Sequence, residues 1–392
     1  MISTSCKEIA RDLLRQCIAG QTPKLLPRAL AQDPCGHALF GTLVEGLADR
    51  FEPALCDAYA RLFSQAVAMA VDDTDAASLV ARYERVRRVR PVTSRPRRVF
   101  VLSRVTLGAD VAVTSVMLSA AKRRFPHAEI VFVGPRKNYE LFAADKHLHH
   151  VEVAYRRGSL RERLASWNDL KPLLAGPDTL VIDPDSRLTQ LGLLPVCAED
   201  HYHLFESRAY GGESNHPLPQ LAAAWAEETL GVAGAKPYVA LGPAPAHAPY
   251  VAVSLGVGEN AAKRLPDPFE EELLRMLAAR GVPLCIDKGA GGEEAERVTR
   301  AVEASGAQAT FWSGSFAGFA AIIAGASLYV GYDSAGQHIA AATGVPLVSV
   351  FAGFPAPRMF DRWRPVGPNC TVLRVDRPDV PETLDRLRAA LA

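Results

Sequence analysis

Nowhere in this chain is there anything near the ~20 consecutive apolar residues of a membrane-spanning helix, so any membrane contact is expected at the surface of the fold. Cysteine is sparse. The seven residues, at positions 6, 17, 35, 56, 197, 285 and 370, form no CxxC pair. Neither a disulfide framework nor a zinc site is expected from them, and the thiols read as the reduced thiols of a cytoplasmic protein. An excess of one charge is missing too, because 44 Lys and Arg face 43 Asp and Glu for a net charge of +1. Nucleic-acid binders carry a basic excess, so no nucleic-acid partner is expected and a small molecule is the better one. The opening residues reach Lys7, Arg11 and Asp12 before any apolar run develops, so no secretory leader is expected there. What is present is 392 residues, 48% hydrophobic and 22% charged, enough for two or three domains with cores of their own. A cleft between domains is the expected place for chemistry.

Apolar residues recur at helical spacing through the first ninety positions, at Ile9, Leu13 and Cys17, then Leu39, Leu43 and Leu47, then Tyr59, Leu62 and Phe63, then Leu79, Tyr83 and Val86. A helical region over 1–96 is predicted. It ends in a linker with six arginines and two prolines over 87–98, which reads either as a solvated connector or as a patch facing lipid head groups or a phosphorylated substrate. From Val99 the texture changes to short β-branched runs, 99–103, 129–134, 149–155 and 179–183, with an amphipathic helix carrying Val113, Val116, Met117 and Ala120 after the first. Strand and helix in alternation mean a parallel sheet with helices on its faces. After a proline-rich connector over 236–249 the pattern restarts with runs at 250–256, 282–287, 326–332 and 345–351. Asp267, Pro268 and Glu270 read as a capping box opening the next helix, and 381–392 reads as a short amphipathic helix.

Chemistry is suggested where strands end. The run after 326–332 stops at Asp333-Ser334, and a helix of small residues begins at Ala335 or Gly336 and continues through Gln337 and His338. Such a turn aims free N–H groups and a helix dipole at one spot; the plainer role of Asp333 and Ser334 is to cap that helix, and that of His338 is packing. Asp110 follows the first strand and Gly108, placed either as a general base or as another cap. Lys263 lies in the glycine-rich loop after 250–256, where an ammonium suits a diphosphate or simply faces water. Glu293 ends the glycine run 289–292 region, where acids bind ribose hydroxyls or open a plain helix. Glu206 and Arg208 suggest an acceptor wall or a polar bridging loop. The histidine pairs His149–His150 and His201–His203 lack a companion ligand set, so no metal is expected. Arg358, Arg362, Trp363 and Arg364 suggest a phosphate contact or a structural ion pair.

Together, GADVAVTSVMLSAAKRRFPHAEIVFV (108–133) and DSAGQHIAAATGVPLVSVF (333–351) resemble the motifs of glycosyltransferase family 9, the ADP-heptose:lipopolysaccharide heptosyltransferase group. The chain departs from the pattern at Ala335, where the family has glycine, at Ala109, inserted between Gly108 and Asp110, and at Ser115, where it has proline. The resemblance spans about 98–375 and implies an α/β GT-B fold of two Rossmann-like parallel-sheet domains facing a cleft, here 97–240 for the acceptor and 241–392 for the donor, with the N-terminal helical region added. It also implies an inverting, metal-independent transfer of a sugar, heptose first among candidates, from a nucleotide diphosphate sugar, ADP-linked in the family. No cofactor is implied beyond that substrate. Asp110 falls on the family's catalytic acid, Lys263 on its diphosphate-binding lysine, Glu293 on its ribose-binding acid and Asp333 on the acid at the donor-binding helix, with Ser334, Ala335, Gly336, Gln337 and His338 following. The acceptor would be a glycan, a lipid-linked molecule or a protein. Peripheral contact with the inner face of the membrane and a homo-oligomer through the N-terminal helices are both compatible with this reading. The competing readings are an inactive nucleotide- or glycan-binding assembly protein and a GT-B sugar-nucleotide epimerase.

Overall fold

The computed structural model describes residues 2–244, 249–258, 260–289 and 291–392; part of the proline-rich connector, 245–248, lies outside the described residues. The chain divides into two compact units. The first comprises the residues up to Thr106 with Val116–Asn138 and His147–Ala235, and the second comprises Leu107–Ser115, Tyr139–Lys146 and Lys236–Ala392.

The first unit holds a parallel sheet of five strands, β1 (Arg98–Leu102), β2 (Glu129–Gly134), β3 (Leu148–Glu152), β4 (Thr179–Asp183) and β5 (Tyr202–Leu204), in the order β3-β2-β1-β4-β5. Val99 stands opposite Ile130 on one side and Leu180 on the other. Both faces of the central strands are covered, which is why β1 reads as an unbroken apolar run: Val99, Phe100, Val101 and Leu102 are all buried.

The N-terminal residues do form helices, chiefly Ile2–Ile18, Pro53–Ala70 and Ala76–Val86. The last opens on Asp75, whose carboxylate accepts the Ser78 N–H at 2.7 Å. Their apolar faces do not make a separate core. Tyr59, Phe63, Val67 and Tyr83 join one buried cluster with Phe100, Leu102, Val131, Val133 and Val181 of the sheet. The arginine-rich connector is fastened down over part of its length. Arg87 pairs with Glu206 at 2.9 Å and with Asp57 at 2.5 Å, Arg90 donates to the Tyr202 carbonyl at 2.9 Å, and Arg98 pairs with Glu129 at 2.5 Å. Arg88, Arg95 and Arg97 remain on the exposed side.

The second unit holds β6 (Val251–Ser254), β7 (Leu284–Asp287), β8 (Ala309–Trp312), β9 (Leu328–Tyr332), β10 (Leu347–Phe351) and β11 (Cys370–Arg374), again all parallel, in the order β11-β10-β9-β6-β7-β8. Counted within the unit this is 3-2-1-4-5-6, the doubly wound order, whose direction reverses between β6 and β9. Ligands in such sheets bind beyond the carboxyl ends of the two strands at the reversal. The C-terminal helix Val380–Leu391 sends Leu387 and Leu391 into this unit's core beside Leu273 and Leu277.

The expected capping box at 267–270 is not formed. The helix Phe269–Ala278 starts after Pro268 without a side-chain cap. Asp267 is drawn to Arg264, and Glu270, which is buried, is held by Arg264 and Arg297. Ion pairing has outcompeted capping for both carboxylates.

Candidate functional site

The carboxyl ends of β6 and β9 bring Lys263 and Asp333 together. Beyond β6, the chain turns through Ala261–Lys263, and Asn260 caps that turn by accepting the Ala262 N–H at 3.1 Å. Gly353, in the loop after β10, has φ +68°, and a β-carbon there would lie 2.4 Å from the Ala262 carbonyl and 2.7 Å from the Lys263 nitrogen. Only glycine allows this loop to press on the turn that presents Lys263.

Lys263 reaches across to the end of β9. Its Nζ lies 2.7 Å from Asp333 Oδ2 and 3.2 Å from the Asp333 carbonyl. The other carboxylate oxygen, Oδ1, accepts from Gln337 Nε2, and Gln337 Oε1 accepts from Ser349 Oγ at 2.8 Å. Asp333 is therefore not the cap of the following helix, and Ser334, at the N-cap position, makes no side-chain cap bond either. The first-turn N–H groups of Ala335–Thr343 are left without intrahelical partners, as at any helix start.

The small residues of that first turn have a packing cause. Tyr329 on β9 is fully buried, and its hydroxyl lies 3.4 Å from Ser334 Oγ. A β-carbon at Gly336 would stand 2.3 Å from that hydroxyl and 2.6 Å from the ring. The glycine thus falls one place after Ala335 because position 336, not 335, sits over the tyrosine. Burial pushes the Tyr329 phenol up to about 12, so it stays protonated. His338 is buried, its ring 5.9 Å from that of Trp363 in an edge-to-face arrangement. Burial, with the Lys263 ammonium nearby, pushes His338 down to about 4, which makes it a neutral packing ring.

Leu107–Ser115 belongs to the same unit as this turn. The ideal β-carbon position at Gly108 is 3.1 Å from Ala335 Cα and 3.1 Å from His338. The segment begins as a short helix, Leu107–Ala109, and widens into a π-helical turn over Asp110–Thr114. Such a turn closes i→i+5 bonds, holds one residue more than an α turn and recurs at functional sites; it accommodates Ala109, the extra residue between Gly108 and Asp110. Asp110 lies inside the helical run rather than capping it. It is fully buried, and its Oδ1 accepts from Thr114 Oγ1 at 2.6 Å. Ser115, in the proline's place, donates to the Val111 carbonyl at 2.5 Å and accepts the Tyr238 N–H at 3.1 Å, a contact proline could not make.

The structure thus gathers Asp110's segment, Lys263, Asp333 and the 334–338 turn. Glu293 is set apart, exposed on the first turn of Gly292–Ser305. Its neighbour Glu294 turns inward and accepts the Val257 N–H at 3.3 Å. Asp287 ends β7, accepts the Gly289 N–H at 3.1 Å, and is pushed upward by burial and by the Glu294 charge. These two acids escaped the sequence reading; the available signal was an acid closing the second strand of a doubly wound unit.

Glu206 and Arg208 belong to the first unit and are not an exposed wall. Both are buried. Arg208 pairs with Asp185 at 3.0 Å and stacks 4.9 Å from the Tyr59 ring, while Glu206 is bound by Tyr83 and by Arg87 at 2.9 Å. Their charges link the sheet to the N-terminal helices. Arg362 is likewise fully buried, on the helix Pro357–Trp363. Among the described residues, no group of three or more His, Cys, Asp or Glu is arranged to hold a metal ion, and no helix is long and apolar enough to cross a membrane.

Comparison with known proteins follows the same lines. Residues 199–388 match the family model described as glycosyltransferase family 9 (heptosyltransferase). The structure of Escherichia coli heptosyltransferase WaaC with ADP-2-deoxy-2-fluoro heptose aligns with a TM-score of 0.54 at 17% identity, over 75% of this chain and 97% of that one. E. coli ADP-heptose lps heptosyltransferase II aligns with a TM-score of 0.53 at 17% identity, over 75% and 98%. The family 9 glycosyl transferase from Veillonella parvula DSM 2008 aligns with a TM-score of 0.52 at 16% identity, over 71% and 86%. No curated protein matches the chain by sequence. At these identities the structures establish a GT-B-like fold of two parallel-sheet α/β domains, here with an N-terminal helical region. Residues 199–388 of that fold, which include Lys263, Asp333 and the helix that follows, carry a glycosyltransferase family 9 (heptosyltransferase) domain.

Proposed function

We propose that the protein transfers a sugar, with inversion and without a metal ion, from a nucleoside diphosphate sugar to an acceptor hydroxyl, and that ADP-heptose is the donor. The observation that carries the reading is the meeting in one unit of the Asp110 segment with the helix start beside Lys263 and Asp333. An ammonium and the unpartnered N–H groups of residues 335–337 form a cationic end that suits a diphosphate. As the glycosidic bond breaks, the leaving diphosphate gains charge, and each donor aimed at it is typically worth ~3 kcal/mol. This supplies by side chain and helix dipole what a divalent ion would supply elsewhere. Asp110 takes the proton of the acceptor hydroxyl as that oxygen attacks the anomeric carbon from the side opposite the leaving group, which inverts the centre. Glu293, exposed on the first turn of Gly292–Ser305, is the proposed acceptor for ribose hydroxyls, with Asp287 at the end of β7 as a further carboxylate.

The donor assignment draws on the two E. coli proteins, one described with an ADP-linked fluoro heptose and one as an ADP-heptose enzyme. The acceptor is a glycan hydroxyl, and seven unpaired thiols suit the cytoplasm, where they stay reduced.

The test is Asp110→Asn assayed with ADP-heptose and a glycan acceptor. Loss of a general base lowers transfer by about 10²–10⁴-fold, while ADP affinity, measured by calorimetry, stays within about twofold of the parent. Turnover at the parent rate in this variant would remove Asp110 from the mechanism.

A further inference from the structure

We propose that Gln337 and Ser349 act as a positioning relay that fixes the Asp333 carboxylate and through it sets where the Lys263 ammonium stands; the inference rests on the diphosphate site read above. Gln337 and Ser349 are both fully buried, on the helix Ala335–Thr343 and on β10. Neither side chain reaches solvent, and each must find its polar partners inside the protein. The hydrogen bonds run in one direction. Ser349 Oγ donates to Gln337 Oε1 at 2.8 Å, and Gln337 Nε2 donates to Asp333 Oδ1. Rotating the amide by half a turn would set its carbonyl against the carboxylate, so only this orientation is satisfied.

The consequence for Asp333 is that both oxygens are assigned, Oδ1 to Gln337 and Oδ2 to Lys263. A lone carboxylate can rotate about its last torsion and carry a bound ammonium with it. Gln337 removes that freedom. Lysine is a point charge on a flexible four-carbon stem, and Lys263 is anchored at Nζ by two oxygens of one residue, the Asp333 carboxylate and carbonyl. With Asp333 held, the ammonium is ordered before the diphosphate arrives, and the ordering cost is removed from binding.

The experiment is a double-mutant cycle on nucleotide affinity, using whichever of ADP, GDP, UDP, CDP and dTDP binds the parent most tightly. Gln337→Leu weakens affinity about tenfold and Ser349→Ala about threefold, the scale of a hydrogen bond to a charged and to a neutral group. Lys263→Ala alone weakens it more. In the Lys263→Ala background, Gln337→Leu has no further effect, because the relay acts only through that lysine. Gln337→Glu supplies a second readout and guards against a poorly folded leucine variant. While protonated it keeps the donor to Asp333 and the parent affinity; once ionised it repels Asp333, so its affinity relative to the parent falls as pH rises from about 5 to 8. An undiminished tenfold loss in the Lys263→Ala background, or a Gln337→Glu affinity that tracks the parent at every pH, would make Gln337 a packing residue and overturn the relay. Lys263→Ala with parental affinity would instead overturn the diphosphate site itself, and the relay with it.

Discussion

Two histidines, His338 and His203, are buried as neutral rings, each pushed by burial to about 4, with the Lys263 charge adding to the first and the Arg90 charge to the second. An unfolded chain titrates them near 6.5, so between about 6.5 and 4 it binds protons that the folded state refuses. Their contribution to stability is complete above pH 6.5 and is lost as pH falls toward 4. The loss approaches roughly 3 kcal/mol for each ring at full extent. Asp183 and Glu206, raised by burial, bend the curve the other way, so the clean quantity is a difference between variants. Replacing His338 with Gln removes one of these penalties. The gap in unfolding free energy between parent and His338→Gln, from urea titrations at pH 7 and pH 4.5, therefore shifts in favour of the variant at the lower pH. A gap that is the same at both values would mean that folding leaves the proton affinity of His338 unchanged.

At the scale of elements, the first turn of Ala335–Thr343 is shaped by what lies beneath it. Tyr329 fills the space under Gly336, and a buried ring held on a central strand has nowhere to go. Gly336→Ala is expected to destabilise the second unit by about 1–3 kcal/mol, the range for overpacking a close-packed site, with a lowered melting temperature as the readout; an unchanged melting temperature would mean that the turn yields freely. Eight strands were legible from the sequence, most of them because strands covered on both faces write continuous apolar runs, and the edge strand β3 through the β-branched Val151 within it and Val153 just after it. Of the three strands outside those runs, β5 is only three residues long, and the other two, β8 and β11, are the edges of the second sheet. Their residues are only partly covered, Ala309, Phe311 and Trp312 in one and Cys370 and Val372 in the other, and the run is broken. The capping box at 267–270 misread carboxylates that pair instead with Arg264 and with Arg297, 27 residues after Glu270. Spacing along one helix carries no trace of such partners.

Across the whole molecule, the legible part of the site was the part that depends on local order: Asp333 and the helix after it, Lys263 in its loop, Asp110 after its strand. What sequence could not display was tertiary. Glu206 and Arg208 stand two residues apart in a polar segment that looks like a binding loop, yet their partners, Tyr83 and Arg87 for one and Asp185 for the other, make them the fastening between sheet and N-terminal helices. Removing one member of a buried pair of this type commonly costs 3–5 kcal/mol. The N-terminal region is therefore part of the first unit's core and cannot be treated as an appendage. In the second unit, the carboxyl edge of the sheet is proposed to bind a nucleoside diphosphate through Lys263 and the helix start. The most direct measurement is thermal unfolding of the parent and of Lys263→Ala across a panel of nucleoside diphosphates, since a ligand at 100 times its Kd stabilises by about 2.7 kcal/mol. The melting temperature of the parent is expected to rise clearly with one base, ADP first, and the rise is expected to be lost in Lys263→Ala. A parent that none of the nucleotides stabilises, or a variant stabilised as much as the parent, would contradict this assignment.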